Sequence, residues 1–395
     1  MTYHISIYCP DRHLLYDGRT PDRKGIGGGV TARIRLADAL SRLGHSVQMV
    51  CNCPKDAWIR GVHYSPLDHV RSIKTDILIM ASSGGAASLK PALDLEIESK
   101  LRILMAASIT RIADVHKARI DYIYACSNFL RQYIRKEFDI QSMKLYVAYY
   151  GIEKKYYRNF PPIGPGSRNP YRLIYAGHPV KGLPTALGVL RLLRAEDPRF
   201  ELHIYGGSLL WGGKEEPVGK EAGVYYHGLV GQKTLSKEMQ KSGFAIHLQD
   251  IPEGFGISLV EAMAAGCIPL ASPAGAYGEI LRDGYNGFLI PGSHTAPETQ
   301  ERTAGLILEL TQKPDWADFI RGNASTFGMD WETIARACAD HWRWVLHEGN
   351  WTPTANWGSC RECGAKMLPL ADGYHCTNCG HYRQDLVQGE MDFNA

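Results

Sequence analysis

NFPPIGPGSRNP, Asn159 to Pro170, divides the chain. It has four prolines and two glycines in twelve residues, so neither a helix nor a central strand runs through it. On its amino side, short apolar runs alternate with helical patterns. Ile5–Tyr8, Val47–Val50, Ile77–Met80, Arg102–Met105, Tyr122–Ala125 and Leu145–Ala148 read as strands, with amphipathic helices such as Thr31–Arg42 and Phe129–Phe138 between them. On its carboxyl side the alternation restarts. Arg172–Tyr175, Glu201–Tyr205, Phe244–Leu248 and Cys267–Ala271 read as strands, Pro184–Arg194 as a helix, and the chain is helical again from Arg302 to a last helix at Trp331–Leu346. Strand–helix alternation predicts parallel sheets covered on both faces. The expected fold class is therefore α/β, with two doubly wound Rossmann-like domains facing a cleft. The expected boundaries are 1–158, a linker at 159–170, and 171–330. A second break at 347–358 precedes a cysteine-rich tail at 359–385.

Composition agrees with this division. The chain has 395 residues, 45% apolar and 22% charged, which suits two folded domains plus a small module. Its net charge of +3 is too small to predict a nucleic-acid binder. No apolar run approaches the roughly 18–20 residues that span a bilayer, and MTYHISIYCP does not read as a secretory signal. The ten cysteines are not spread as a disulfide framework, so a reducing, cytoplasmic compartment is expected.

Three segments carry chemistry in the two large domains. Lys24-Gly25-Ile26-Gly27-Gly28-Gly29-Val30-Thr31 puts glycines where a helix opens, so backbone amides and the helix dipole face an anion. It lacks the dinucleotide spacing, and no acidic residue is suitably placed at the second strand, where Val47–Val50 runs into Cys51-Asn52-Cys53, which speaks against a hydride-transfer cofactor. Glu253-Gly254-Phe255-Gly256-Ile257-Ser258-Leu259-Val260-Glu261 holds two carboxylates eight residues apart, the second among apolar neighbours. Once buried, that carboxylate needs a hydrogen-bond partner, and a hydroxyl-rich ligand supplies one. The bland alternative is an amphipathic helix with Glu261 on its wet face. His178-Pro179-Val180-Lys181-Gly182 follows the first strand of the second half, at the strand end where ligands bind in open α/β sheets.

Together these segments resemble a retaining glycosyltransferase of the GT-B fold, family 4, over about residues 3–346. Glu253 to Glu261 is similar to that family's E-x7-E motif. Gly275-Ala276-Tyr277-Gly278-Glu279-Ile280, Asp283-Gly284-Tyr285-Asn286-Gly287, His227-Gly228-Leu229-Val230, Ser127-Asn128-Phe129 and Tyr150-Gly151-Ile152-Glu153 resemble its other segments, in order. The resemblance implies transfer of a sugar from a nucleoside-diphosphate sugar to a glycan, lipid-linked or small-molecule acceptor. It gives Lys181, Glu253 and His178 catalytic roles. It gives donor binding to Gly28, Gly29, Val230, Gly254, Phe255, Gly256, Ile257 and Glu261. It implies no catalytic metal. The last helix is expected to cross back onto the amino-terminal domain. Two departures stand out. His178 replaces the usual arginine in a loop two residues shorter, and Ile79–Ser83 and Leu104–Ser108 hold no cleft histidine. A non-catalytic donor-binding or scaffold protein is the alternative reading.

Cys360-Arg361-Glu362-Cys363-Gly364 and Cys376-Thr377-Asn378-Cys379-Gly380, twelve residues apart, form two C-x2-C-G knuckles. Four thiolates at this spacing suit a tetrahedral structural zinc, with iron or a redox dithiol as the alternatives. A module this small should need its metal to fold. Its charge of +1 favours a protein partner or a brace over nucleic acid. From Lys100 to Arg158, twelve basic and five acidic residues make a local balance of +7. This is a solvated face, or a patch for acceptor or peripheral contact with the inner membrane face.

Overall fold

The computed structural model describes residues 1–81, 89–109, 119–137, 145–157, 168–214 and 220–347, with the backbone of 367–370, 373–376 and 382–383. Within these, the first half forms an eight-stranded sheet. Its strands are β1 (His4–Tyr8), β2 (Ser46–Cys51), β3 (Ala57–Ile59), β4 (Val62–Pro66), β5 (Ser72–Ala81), β6 (Glu96–Ala106), β7 (Tyr122–Ala125) and β8 (Leu145–Val147). The order is β3-β4-β2-β1-β5-β6-β7-β8. All neighbours are parallel except β3 and β4. The sequence reading missed β3 and β4. They form a short hairpin whose Trp58-Ile59-Arg60-Gly61-Val62 connection lacks a long apolar run.

The second half forms a six-stranded parallel sheet. Its strands are β9 (Asn169–Gly177), β10 (Glu201–Gly206), β11 (Val224–Gly228), β12 (Ser242–His247), β13 (Ile268–Ala271) and β14 (Phe288–Leu289), in the order β11-β10-β9-β12-β13-β14. β9 already begins at Asn169, so the last two residues of the expected linker belong to the sheet. Residues 159–167 of that linker lie outside the described residues. Apolar residues run uninterrupted where strands are covered on both faces. All six residues of β12 are buried.

The helices are α1 (Thr20–Arg23), α2 (Gly28–Arg42), α3 (Lys90–Leu93), α4 (Asn128–Glu137), α5 (Leu183–Glu196), α6 (Gln232–Lys241), α7 (Ile257–Ala264), α8 (Tyr277–Ile280), α9 (Pro297–Gln312), α10 (Pro314–Thr326) and α11 (Trp331–Leu346). α2 opens at Gly28, three residues before the expected start at Thr31, because glycines tolerate the helix entry. Gly28 and Gly29 are thus the first turn of a helix and not a free loop. α11 starts sharply because the Asp330 carboxylate accepts from the Thr333 amide and hydroxyl, both at 2.8 Å. It packs on α2 of the first domain. There Trp342 meets Tyr3 and His45 edge-on, and His341 stacks on Tyr146 at 4.0 Å.

Both sheets change direction of strand addition beside their first strand: β1 lies between β2 and β5, and β9 between β10 and β12. Crevices open at the carboxyl ends of strands at such points. The two crevices face each other and form the site.

The backbone of the tail forms three antiparallel strands, Met367–Leu370, Gly373–Cys376 and Tyr382–Arg383, with Met367 opposite Cys376. Cys360, Cys363 and Cys379 lie outside the described residues, as does the side chain of Cys376. Among the described residues, no helix is long and apolar enough to cross a membrane.

Candidate active site

The cleft encloses about 940 Å³ and is lined from both halves. Its first wall is the glycine stretch. Gly25, Gly27 and Gly28 lie so close to the second domain that a methyl group on each would come within 3.0, 3.3 and 3.7 Å of Val230, Leu210 and Ile257 respectively. The start of α2 therefore lies against the Ile257 side chain at the start of α7.

The opposite wall is built on β9, β12 and α7. After β9, the His178 ring accepts the Val180 amide at 3.3 Å and stacks on Trp211 at 3.9 Å between centroids. The short turn that follows aims Lys181 back over the strand ends. Its ammonium pairs with the Glu253 carboxylate at 2.5 Å and lies 5.7 Å from the Trp211 ring centre. The Glu253 backbone is pinned to Gly275, and the Ala276 amide donates to its carbonyl at 2.9 Å. Gly256 then takes a left-handed conformation, φ +89°, which starts α7 with its first amides at the cleft wall. A methyl group there would strike the Tyr277 ring at 2.4 Å. Gly254 faces the other domain, where a methyl group would lie 2.5 Å from the Ala107 carbonyl.

Glu261 is 5% exposed, so it is not on a wet face. The Gln232 amide donates to it at 2.6 Å. The Gln232 oxygen in turn accepts from the Arg35 guanidinium at 2.6 and 2.9 Å. Burial pushes the Glu261 carboxyl up to about 7, with the Gln232 hydrogen bond and the Arg35 charge opposing and Glu153 adding to the rise. Arg35 belongs to α2 and also pairs with Asp22 at 2.6 Å and approaches Asp38 and Glu153. Burial alone would raise Asp22. Arg35, Tyr156 and Arg60 outweigh it and hold that carboxyl well below the usual range.

Every expected catalytic and donor-binding residue lines this cleft: His178, Lys181, Val230, Glu253, Gly254, Phe255, Gly256, Ile257, Glu261, Gly28 and Gly29. Sequence reasoning missed Trp211, Gln232, His247, Gln249 and Tyr277, which also line it, and the supporting Arg35. Two of them carried a positional signal: Gln232, two residues after Val230, and Tyr277, inside the Gly275–Ile280 segment already singled out. Among the described residues, no group of three or more histidine, cysteine or acidic side chains is placed to hold a metal.

Two facing Rossmann-like domains with this crevice form a GT-B architecture, and solved structures share it. HepE from Anabaena, crystallised with UDP-glucose, covers 86% of this chain and 99% of its own, with a TM-score of 0.60 at 16% identity. Sucrose-phosphate synthase from Thermosynechococcus elongatus covers 87% and 99%, with a TM-score of 0.61 at 15% identity. At these identities the likeness is one of fold. Residues 168–316 match the family described as glycosyl transferases group 1, which covers β9 to α9 and most of the second wall. The phosphatidyl-myo-inositol mannosyltransferase of Mycobacterium tuberculosis H37Rv is 38% identical over 84 residues, 21% of this chain and 22% of the relative. The D-inositol 3-phosphate glycosyltransferase of Streptomyces griseus is 29% identical over 184 residues, 42% of this chain and 38% of the relative. The chain therefore spans well under half the length of these relatives.

Proposed function

We propose that this chain is a retaining glycosyltransferase that moves a sugar from a nucleoside-diphosphate sugar to a hydroxyl of a glycan, lipid-linked or small-molecule acceptor. The observation that carries the reading is the placement of Lys181 and Glu253 beyond the ends of β9 and β12 and of Glu261 in the second turn of α7, all lining one cleft with the glycines that open α2. In this reading Glu261 exchanges its Gln232 hydrogen bond for the ribose hydroxyls, and the base lies along Leu229 and Val230. Lys181 leaves Glu253 for the diphosphate, with His178 and the amides of Gly28 and Gly29 beside it. Glu253, freed, joins the amides of Gly254 to Ile257 on the sugar. The bond between the anomeric carbon and the diphosphate oxygen breaks, the acceptor oxygen bonds to that carbon on the same face, and the acceptor's hydroxyl proton passes to the departing diphosphate oxygen. Fixed positive groups at the departing diphosphate stabilise the charge that develops, and closure excludes water.

The test is nucleoside-diphosphate release from a panel of UDP-, GDP- and ADP-sugars, with Glu261→Ala alongside. Release from one donor, lost in the variant, supports the reading. Neither release nor thermal stabilisation by any nucleotide overturns it, whereas stabilisation without release points to a non-catalytic donor-binding protein.

For the tail, we propose that Cys360, Cys363, Cys376 and Cys379 hold one structural zinc in a cytoplasmic protein. The C-x2-C-G spacing supports this, as does the strand pairing that brings the second knuckle back beside the residues after the first. About one zinc per chain by elemental analysis, lost in Cys363→Ser, is the expected result. Zinc-free folded protein would overturn it.

A further inference from the structure

The polar side chains around the Lys181–Glu253 pair are largely satisfied inside the protein. The Gln249 amide donates to the Ile251 carbonyl at 2.9 Å and to Glu253 at 3.4 Å. The Tyr175 hydroxyl donates to the His178 carbonyl at 2.6 Å, and Gln232 holds Glu261. Two cleft-lining groups differ. His247, the last residue of β12, is 7% exposed, and Tyr277, the first of α8, is 2% exposed. Among the described residues, neither the His247 imidazole nor the Tyr277 hydroxyl makes a hydrogen bond. Their one recorded mutual contact is ring edge to ring face, 5.8 Å between centroids at 69°. Both line the cleft. Lys181 acts electrostatically on His247, and Glu253 on Tyr277.

Both side chains are almost wholly covered, yet their polar atoms are not sealed off and reach the cleft next to the proposed sugar–diphosphate position. Groups held in place there can fix the orientation of a ligand by hydrogen bonds. Its chemistry follows from theirs. Burial and the Lys181 charge push the His247 imidazole down to about 3, so it is neutral at pH 7. A neutral imidazole and a phenol each donate and accept one hydrogen bond, which matches neutral hydroxyls better than a phosphate. We infer that His247 and Tyr277 bind hydroxyl groups of the transferred sugar and select for a hydroxyl-bearing pyranose at this end of the cleft. The inference rests on the donor-site reading above and adds two sugar-specificity residues to it.

The experiment is calorimetric titration of the full chain, and of His247→Phe and Tyr277→Phe, with UDP, GDP and ADP and with their glucose derivatives. Deoxyglucose forms of the donor that binds are titrated in parallel. Both variants should bind the free nucleoside diphosphate within about twofold of wild type and lose tenfold or more on the nucleotide sugar. At least one deoxygenation should weaken wild type by a similar factor and add nothing further in the matching variant. Equal loss on both ligands, or no loss on either, overturns the inference. If a variant unfolds, the deoxy series on wild type decides alone: no sensitivity to any single deoxygenation overturns it. Binding of no nucleotide at all by wild type would instead sink the donor site, a distinct failure.

Discussion

Glu261 shows how one residue turns burial into a pH response. Its ordinary value is near 4.3, and burial raises it to about 7. Between these values the native carboxyl keeps a proton that the unfolded chain releases. Stability therefore falls as pH rises through that window, and this contribution is flat above and below it. Ribose hydroxyls donating to Glu261 favour its ionised form. Donor binding should then strengthen with pH up to about 7 and level off, by at most about tenfold per pH unit below the midpoint. Titrating an intact nucleotide sugar from pH 5.5 to 8.5 checks this, because its diphosphate has no proton in that range. Glu261→Gln should bind weakly and lose the pH dependence. Gly256 makes a second residue-scale prediction. Gly256→Ala must hold φ at +89° with a methyl group 2.4 Å from Tyr277. It should cost about 1–3 kcal/mol by urea unfolding, and it should weaken sugar binding by displacing Glu253. Both carboxylates and this glycine were legible in the sequence, since one local motif contains them. His247 was not: in Phe244-Ala245-Ile246-His247-Leu248 it reads as one position of a buried strand. Only the way β9, β12 and α8 converge reveals its open side.

At the scale of elements, the first turns of helices carry much of the site, and each is capped by a different device. α4 is the clearest case. Its first two amides, at Asn128 and Phe129, are accepted by the Glu279 carboxylate of the second domain at 3.0 and 3.1 Å. The next two go to the Ser127 hydroxyl and carbonyl, both at 3.0 Å. Ser127-Asn128-Phe129 was singled out in the sequence, but the carboxylate of Glu279, 151 residues from Asn128, was not linked to it. α11 is capped within its own chain segment, so Asp330→Ala should cost about 1 kcal/mol. Thermal unfolding should register this with donor affinity unchanged. α6 begins at Gln232, which joins Arg35 of α2 to Glu261 of α7. Gln232→Leu removes a donor that favours the ionised carboxyl, so Glu261 should titrate higher. The midpoint of the donor-binding titration should move up with it. An unchanged midpoint would mean that Gln232 only fills space. The central strands were legible because their apolar runs are set by burial on both faces, whereas β11, mostly exposed, and β14, two residues long, were not read. The β3–β4 hairpin was missed because an edge hairpin needs only a few buried residues.

For the whole molecule, what matters is that the joint between the halves combines an apolar seam, where Phe255 packs on Tyr149 and Tyr150, with long-range polar contacts. Arg35 reaches Gln232 across it, Glu279 reaches α4, and the Gln240 amide donates to the Tyr156 carbonyl at 2.9 Å. Glycines line the contact where backbones nearly touch: a methyl group on Gly231 would lie 2.2 Å from the Asp22 carbonyl. The sequence indicated two domains and a cleft, because a proline-rich break and restarted alternation are local signals. It could not indicate the joint, because each contact pairs residues far apart in the chain. The consequence is that closure and donor reading share parts. Arg35 belongs to the first domain, yet it steadies the glutamine that holds Glu261, the carboxylate proposed to bind the ribose. Glu279→Ala removes a charged contact on the other side of the cleft without touching that set. It should open the unliganded molecule, giving a larger radius of gyration in small-angle scattering. Saturating nucleotide sugar should restore the wild-type value, because the ligand bridges the facing helix starts of α2 and α7. If the variant's radius matches wild type without ligand, the Arg35–Gln232 contact suffices to hold the cleft closed. If ligand fails to close it, the facing amides do not share one ligand, and the two-sided site assigned here would be wrong.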